Sequence, residues 1–163
     1  MIAQIWLIIA LLVSRVTEDV KLPLWNTMSA QEQSEADLEV KAWFASMTAE
    51  EFELMSVIVE AESDRSDSME GKKLIALTIL NRVESSEFPN SIKGVISQSG
   101  QFQVYYEGTY KSIKRTDTSD RAVVEASMWQ RQEHPNVIYF NSISFNGLGQ
   151  AYDYVDGNYF ETA

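Results

Sequence analysis

The sequence predicts an α+β domain, mostly helical at first, with small β elements in its C-terminal half. Apolar residues recur at helical spacing between residues 48 and 96, where Gly and Pro are sparse. From residue 137 onward the chain breaks into short strand-like pieces cut by Gly and Asn. A length of 163 residues with 45% hydrophobic content suits one domain with a sizeable core and a short appendage.

The appendage comes first. The opening "MIAQIWLIIALLVSRV" is apolar from Ile5 to Val13, with no charge before Arg15. That run is shorter than a membrane span of about 20 residues and nearer the core of a signal peptide. Residues 1–16 are therefore expected to be an export signal or a membrane anchor, with a buried helix as the alternative. Arg15 and Lys21 lie on the side that opposes export. Residues 17–47 are polar and acidic and read as a tether, helical over about residues 36–47 by a partial stripe of Leu38, Val40, Trp43 and Phe44.

The compact domain is expected to span residues 48–163. "TAEE" at residues 48–51 has the form of a capping box, with Thr48 and Glu51 able to serve each other's amides. The helix it opens should reach Glu62 or Ser63. A second helix, from Glu70 to about Val83, is apolar through Leu74, Ile75, Leu77, Ile79 and Leu80, as a central helix would be. "ESSEFPN" breaks it, and a short helix carries Ile92, Val95 and Ile96. "QFQVYYEGTYKSI" is aromatic-rich, with Glu107-Gly108 read as a hairpin turn. A further helix fits residues 119–131 through Val123, Ala126 and Trp129.

Composition excludes several chemistries. No cysteine is present, so there is no disulfide, thiolate zinc site or cysteine nucleophile. The single histidine, His134, sits in a loop-like "EHPN", which argues against a Ser-His-Asp triad. A net charge of −11 argues against nucleic acid as a partner. No metal or cofactor is expected.

Three glutamates remain: Glu60, Glu62 and Glu70. At about 100° per residue, Phe52, Leu54, Met55, Ile58 and Val59 all fall within about 80° of Glu62, whereas Glu60 lies about 160° away with Glu53 and Ser56. Glu62 is thus on the apolar stripe and Glu60 reads as a solvated charge. Burial, the nearby Glu60 and Asp64, and the negative end of the helix dipole would all raise the Glu62 pKa, which suits a general acid. If the helix instead stops short of it, Glu62 is plain surface charge. Glu70 reads as a helix-start residue at the positive end of the dipole.

The stretch "AES…MEGKKLIALTILNRVESSEFPNSIKGVISQSGQF" resembles the cell wall hydrolase family typified by the spore-cortex-lytic enzyme SleB. The matching pieces are Ala61-Glu62-Ser63, Glu70-Gly71, Ile79 to Val83, Phe88 to Asn90, Gly94 to Ile96 and Gln101-Phe102. Farther on come Ile138 to Asn141 and Gly157 to Phe160. The likeness covers about residues 50–160. Two departures stand out: "SDRSDS" replaces the family's Gly-Glu after the catalytic position, and Tyr159 follows Asn158 where the family has His.

The resemblance implies a lysozyme-like fold and cleavage of the glycan of peptidoglycan, with Glu62 as the catalytic acid. Glycoside hydrolysis normally uses two carboxylates, and only Asp64 and Glu70 lie near. A lytic transglycosylase needs one, so that reaction is expected. Substrate contacts are expected from Ser63, Gln101, Phe102, Tyr139 and Asn141. The protein is expected to be a monomer, exported or anchored facing the wall, or encoded by a phage and released at lysis. The alternative is a membrane-tethered, catalytically impaired protein that binds or assembles peptidoglycan.

Overall fold

A computed structural model of the chain describes Gln31 and residues 47–63, 68–129 and 136–163. Those residues contain α1 (Ala49–Glu62), α2 (Met69–Glu84), α3 (Ile92–Ile96), α4 (Gln103–Tyr106), a 3-10 turn (Thr109–Ser112) and α5 (Asp117–Trp129). The strands β1 (Val137–Asn141), β2 (Gln150–Val155) and β3 (Asn158–Thr162) follow. The chain divides into two compact units, residues 1–49 and 50–163, and the description below concerns the second. The N-terminal segment, the tether apart from Gln31 and Met47, Asp64 and His134 lie outside the described residues. Among the described residues no helix is long and apolar enough to cross a membrane.

The architecture is α+β, helices first and a small antiparallel sheet last. The central element is α2, buried at every position from Leu74 to Arg82. Its start is set by Ser68, whose hydroxyl accepts from the Gly71 amide at 3.3 Å. Its end comes at "ESSEFPN", where Ser85 turns extended and its amide closes on Asn81 and Arg82. It packs against α5, α3 and β1. Ser91 caps α3 in the same manner, accepting from Gly94. At the head of α5, Thr116 and Ser119 satisfy each other: the amide of each donates to the other's hydroxyl, at 2.9 and 3.1 Å.

The sheet has the order β1-β3-β2, with β3 antiparallel to both neighbours. Side chains alternate across it. Phe140 and Phe160 stack at 5.9 Å, and Phe140 meets Phe102 at 5.9 Å in the core. Tyr139 and Asn141 point to the opposite face.

One expectation is corrected. The stretch around Glu107-Gly108 forms no hairpin; it forms α4 and the 3-10 turn. Gly108 adopts φ 73°, the left-handed conformation that ends helices as readily as it turns hairpins. Its amide bonds Tyr105, and Tyr105 stacks on Tyr110 at 5.0 Å across the bend.

Candidate active site

Glu62 is the last residue of α1, so the helix carries it to the end of the apolar stripe. Phe52, Met55, Ile58 and Val59 of that stripe are buried. The last turn is closed by the Ser63 amide on the Val59 carbonyl at 3.2 Å, and by the Ser63 hydroxyl donating to the Glu60 carbonyl at 3.1 Å. The Oε1 of Glu62 is buried without a hydrogen-bond partner among the described residues. Burial pushes its carboxyl up from 4.5 to about 7, because the buried anion loses water.

Glu60 is not the solvated charge that helical periodicity implied. Its Oε2 accepts from Lys72 Nζ at 2.9 Å and from Thr116 Oγ1 at 2.7 Å. Lys72 is 1% exposed and Glu60 21%. Three helix ends therefore converge on one carboxylate: the end of α1, the first turn of α2 and the cap of α5. Ser56, assigned to the same polar face, is also buried. Periodicity assumes one buried face per helix, whereas α1 has neighbours on two sides. On the second side Arg115 lies 5.3 Å from the Phe52 ring centroid and 3.9 Å from Glu53. A lysine inside an otherwise apolar helix was the available signal, since a buried ammonium requires a carboxylate.

The first turn of α2 also receives the β2–β3 turn. A Cβ on Gly71 would stand 2.6 Å from Asp156 Oδ2 and 3.3 Å from its Cβ, so any larger residue would require the Asp156 side chain to move. Asp156 has φ 53°, and its Oδ2 is buried with no partner among the described residues. Tyr152 of β2 has its pKa raised by burial and then by the charges of Glu70 and Asp153. Glu70 itself is half-exposed and pairs with Lys73 at 2.7 Å. Sequence reading did not single out Asp156, because its importance arises from a contact 85 residues away along the chain, with Gly71.

The remaining expected site residues fall in different places. Gln101 is exposed in the turn before α4. Phe102 is 1% exposed, held between Phe140 and the Arg82 guanidinium, and presents no ring face to a sugar. Ser63 is buried, and its hydroxyl donates to the Glu60 carbonyl. Tyr139 is half-buried with its ring 6.3 Å from Phe88. Asn141 accepts from the Ile143 amide at 2.7 Å. Tyr139 and Asn141 share one sheet face, opposite the one through which Phe102 meets β1.

The "NRV" that ends α2 positions β1. Asn81 Nδ2 donates to the Val137 carbonyl at 2.9 Å, and Arg82 Nε to the Ile138 carbonyl at 2.7 Å. The Arg82 guanidinium lies 5.1 Å from the Phe88 centroid and 5.8 Å from that of Phe102. A separate groove of about 300 Å³ lies along another side of α1, lined by Leu54, Val57, Tyr110 and Ile113 among others, and does not include Glu62. Among the described residues, no group of three or more His, Asp or Glu is placed to hold a metal ion.

A family model described as Cell Wall Hydrolase matches residues 66–150, a little over half of the 163-residue chain. The match begins after Glu62. Spore cortex-lytic enzyme of Bacillus cereus is 32% identical over 91 residues, which is 56% of this chain and 34% of that protein. The chain thus spans about a third of the length of the curated relatives it matches. Among solved structures, the catalytic domain of the germination-specific lytic transglycosylase SleB from Bacillus anthracis aligns with TM-score 0.59 at 23% identity. That alignment covers 71% of this chain and 97% of the other. The catalytic domain of Bacillus cereus SleB aligns with TM-score 0.57 at 24% identity, covering 69% and 89%. These structures share the fold described above.

Proposed function

Because the chain belongs to the Cell Wall Hydrolase family, we propose that it cleaves the glycan strand of peptidoglycan as a lytic transglycosylase, with Glu62 as both acid and base. The observation that carries this reading is the Glu62 carboxyl. It ends a buried helix stripe, has a buried oxygen with no hydrogen-bond partner among the described residues, and is raised to about 7. Such a group is substantially protonated near neutral pH, as an acid must be.

In the first step Glu62 gives its proton to the oxygen bridging N-acetylmuramic acid and N-acetylglucosamine, and the C1–O bond breaks. The resulting carboxylate takes the proton of the muramyl C6 hydroxyl as that oxygen bonds to C1. A 1,6-anhydro ring closes, Glu62 regains its proton, and no water is consumed. One carboxyl suffices, in contrast to the pair that hydrolysis uses. The Glu60–Lys72–Thr116 junction supports this role by holding the last turn of α1 in place.

The proposed setting is the cell wall, outside the cytoplasm. Residues 1–16 would serve as signal or anchor, residues 17–47 as tether, and residues 48–163 as the catalytic unit. With a net charge of −11, affinity for an anionic wall must come from the cleft itself rather than from long-range attraction.

Mass spectrometry of digested glycan tests the reaction. Products ending in 1,6-anhydromuramic acid, lighter than hydrolytic ones by one water, support it. Their loss in Glu62→Gln assigns the proton cycling. Reducing N-acetylmuramic ends would overturn transglycosylation and call for a second carboxylate, with Asp156 the first to replace.

A further inference from the structure

The sheet face opposite the core carries an aromatic cluster that the cleavage chemistry does not use. Asn141, Tyr159 and Tyr154 are register neighbours across β1, β3 and β2, so their side chains share that face. The Tyr154 and Tyr159 rings lie 4.5 Å apart between centroids, tilted by 41°. Phe145, from the β1–β2 loop, meets Tyr159 edge-on at 5.0 Å and 73°. Tyr154 is 56% and Phe145 42% exposed, so both offer open ring surface.

What covers such a face is decided by its charge and polarity. Residues 136–163 contain three carboxylates, Asp153, Asp156 and Glu161, and no Lys, Arg or His. The same segment is rich in uncharged amides and hydroxyls. The segment itself supplies no cation to an anionic polymer, on a chain already at −11. Aromatic faces ringed by amides and hydroxyls suit an uncharged sugar, whose C–H face lies on a ring while its amide and hydroxyls bond at the edge. In Asn141 the side-chain oxygen is used by the Ile143 amide, which leaves its NH₂ to donate outward. Of the two wall sugars, N-acetylglucosamine is the one without the lactyl group that carries the peptide and its charges.

The sheet reaches the first turn of α2. Asp156, at the tip of the β2–β3 hairpin, abuts Gly71, and the neighbouring Lys72 holds Glu60 two residues before Glu62. The aromatic face and Glu62 thus stand on elements that both rest on the first turn of α2.

We propose that Tyr154, Tyr159 and Phe145, edged by Asn141, form a stacking platform for an N-acetylglucosamine ring of the glycan strand. This rests on the glycan-cleaving reading and adds to it where the strand is held. The platform grips a neutral ring, so it selects glycan over charged wall polymers and sets KM rather than kcat.

The test is a calorimetric titration of the full chain carrying Glu62→Gln with an N-acetylglucosamine tetrasaccharide. Binding is expected, weakened about tenfold by Tyr154→Ala or Phe145→Ala, the loss of one stacking contact, and retained in Tyr154→Phe. In the chain with Glu62 intact, Tyr154→Ala should raise KM for glycan with kcat little changed. Both alanine changes are at exposed positions, and circular dichroism checks their folding. Absence of binding, or equal affinity in all variants, overturns the platform, as does tighter binding of an anionic wall polymer. If the platform variants weaken binding while no variant, Glu62 included, affects cleavage products, the platform stands and the assignment of Glu62 falls.

Discussion

Lys72 and Glu60 form an ion pair of 2.9 Å in which the ammonium is almost fully buried. The pair joins the first turn of α2 to the last turn of α1, two residues before Glu62. Thr116 adds a third element by donating to the same carboxylate oxygen. Glu60→Gln removes a charge paired with the buried Lys72 ammonium, so it should cost about 2 to 4 kcal/mol, less than a fully buried pair because Glu60 is partly exposed. Thermal unfolding measures that loss. Cleavage assayed well below the melting point should also fall, since the helix end that carries Glu62 is released. Unchanged stability in Glu60→Gln would show that the junction does not hold α1.

Glu62 should make activity and stability both depend on pH. Its folded value, about 7, lies above the unfolded 4.5, so the folded state holds the extra proton between them. Below pH 4.5 the group is neutral in both states and burial exacts no penalty. As pH rises from 4.5 through 7, stability is lost, by at most about 3 kcal/mol. Glu62→Gln removes this dependence: it should be more stable than the parent at pH 8 and equal to it at pH 4, by urea titration at each pH. The alkaline limb of the pH–rate profile should run the same way, with kcat/KM falling about tenfold per pH unit above 7 as Glu62 loses its proton.

Gly71 and Asp156 should couple in a double-mutant cycle. Gly71→Ala places a Cβ against Asp156 Oδ2 and should destabilise by about 1 to 3 kcal/mol, despite the better helix propensity of alanine. Asp156→Gly removes the clashing side chain and relaxes the positive φ. The double variant should recover most of the loss, whereas additive effects would show that the two positions act separately.

Arg82→Lys should loosen β1. Lysine keeps the charge but loses the Nε donor to Ile138 and the planar group lying against Phe88 and Phe102. The expected cost is about 2 to 3 kcal/mol. Hydrogen exchange should report faster opening in β1 than in α5. Uniform change across both would make Arg82 a general core residue.

Much of this fold was legible in the chain. The end of α2 follows from "ESSEFPN", which was legible as a breaker, while its start and that of α3 are set by serine caps, Ser68 and Ser91, that act within a few residues. The strands were announced by their β-rich, glycine-cut composition. The region of Gly108 misled because one left-handed glycine serves two kinds of turn, and only the flanking residues' packing selects between them. In the candidate site, Glu62 stood out because one helix face can be computed from spacing. Type and position suit Phe102 and Ser63 to bind sugar, but both are buried, which spacing cannot measure.

By itself the sequence determined what depends on neighbours in the chain: helix starts and stops, the apolar stripe that ends at Glu62, and the exclusion of cysteine chemistry. Tertiary structure alone decided what depends on distant segments. It converted Glu60 from a surface charge into the junction of three helices, because Lys72 and Thr116 arrive from 12 and 56 residues away. It brought Asp156 onto Gly71, and it gathered Phe145, Tyr154 and Tyr159 on one sheet face through strand register. Charges and aromatic rings take their roles from what surrounds them in space, and periodicity along one helix or strand carries no information about the partner that packs against it.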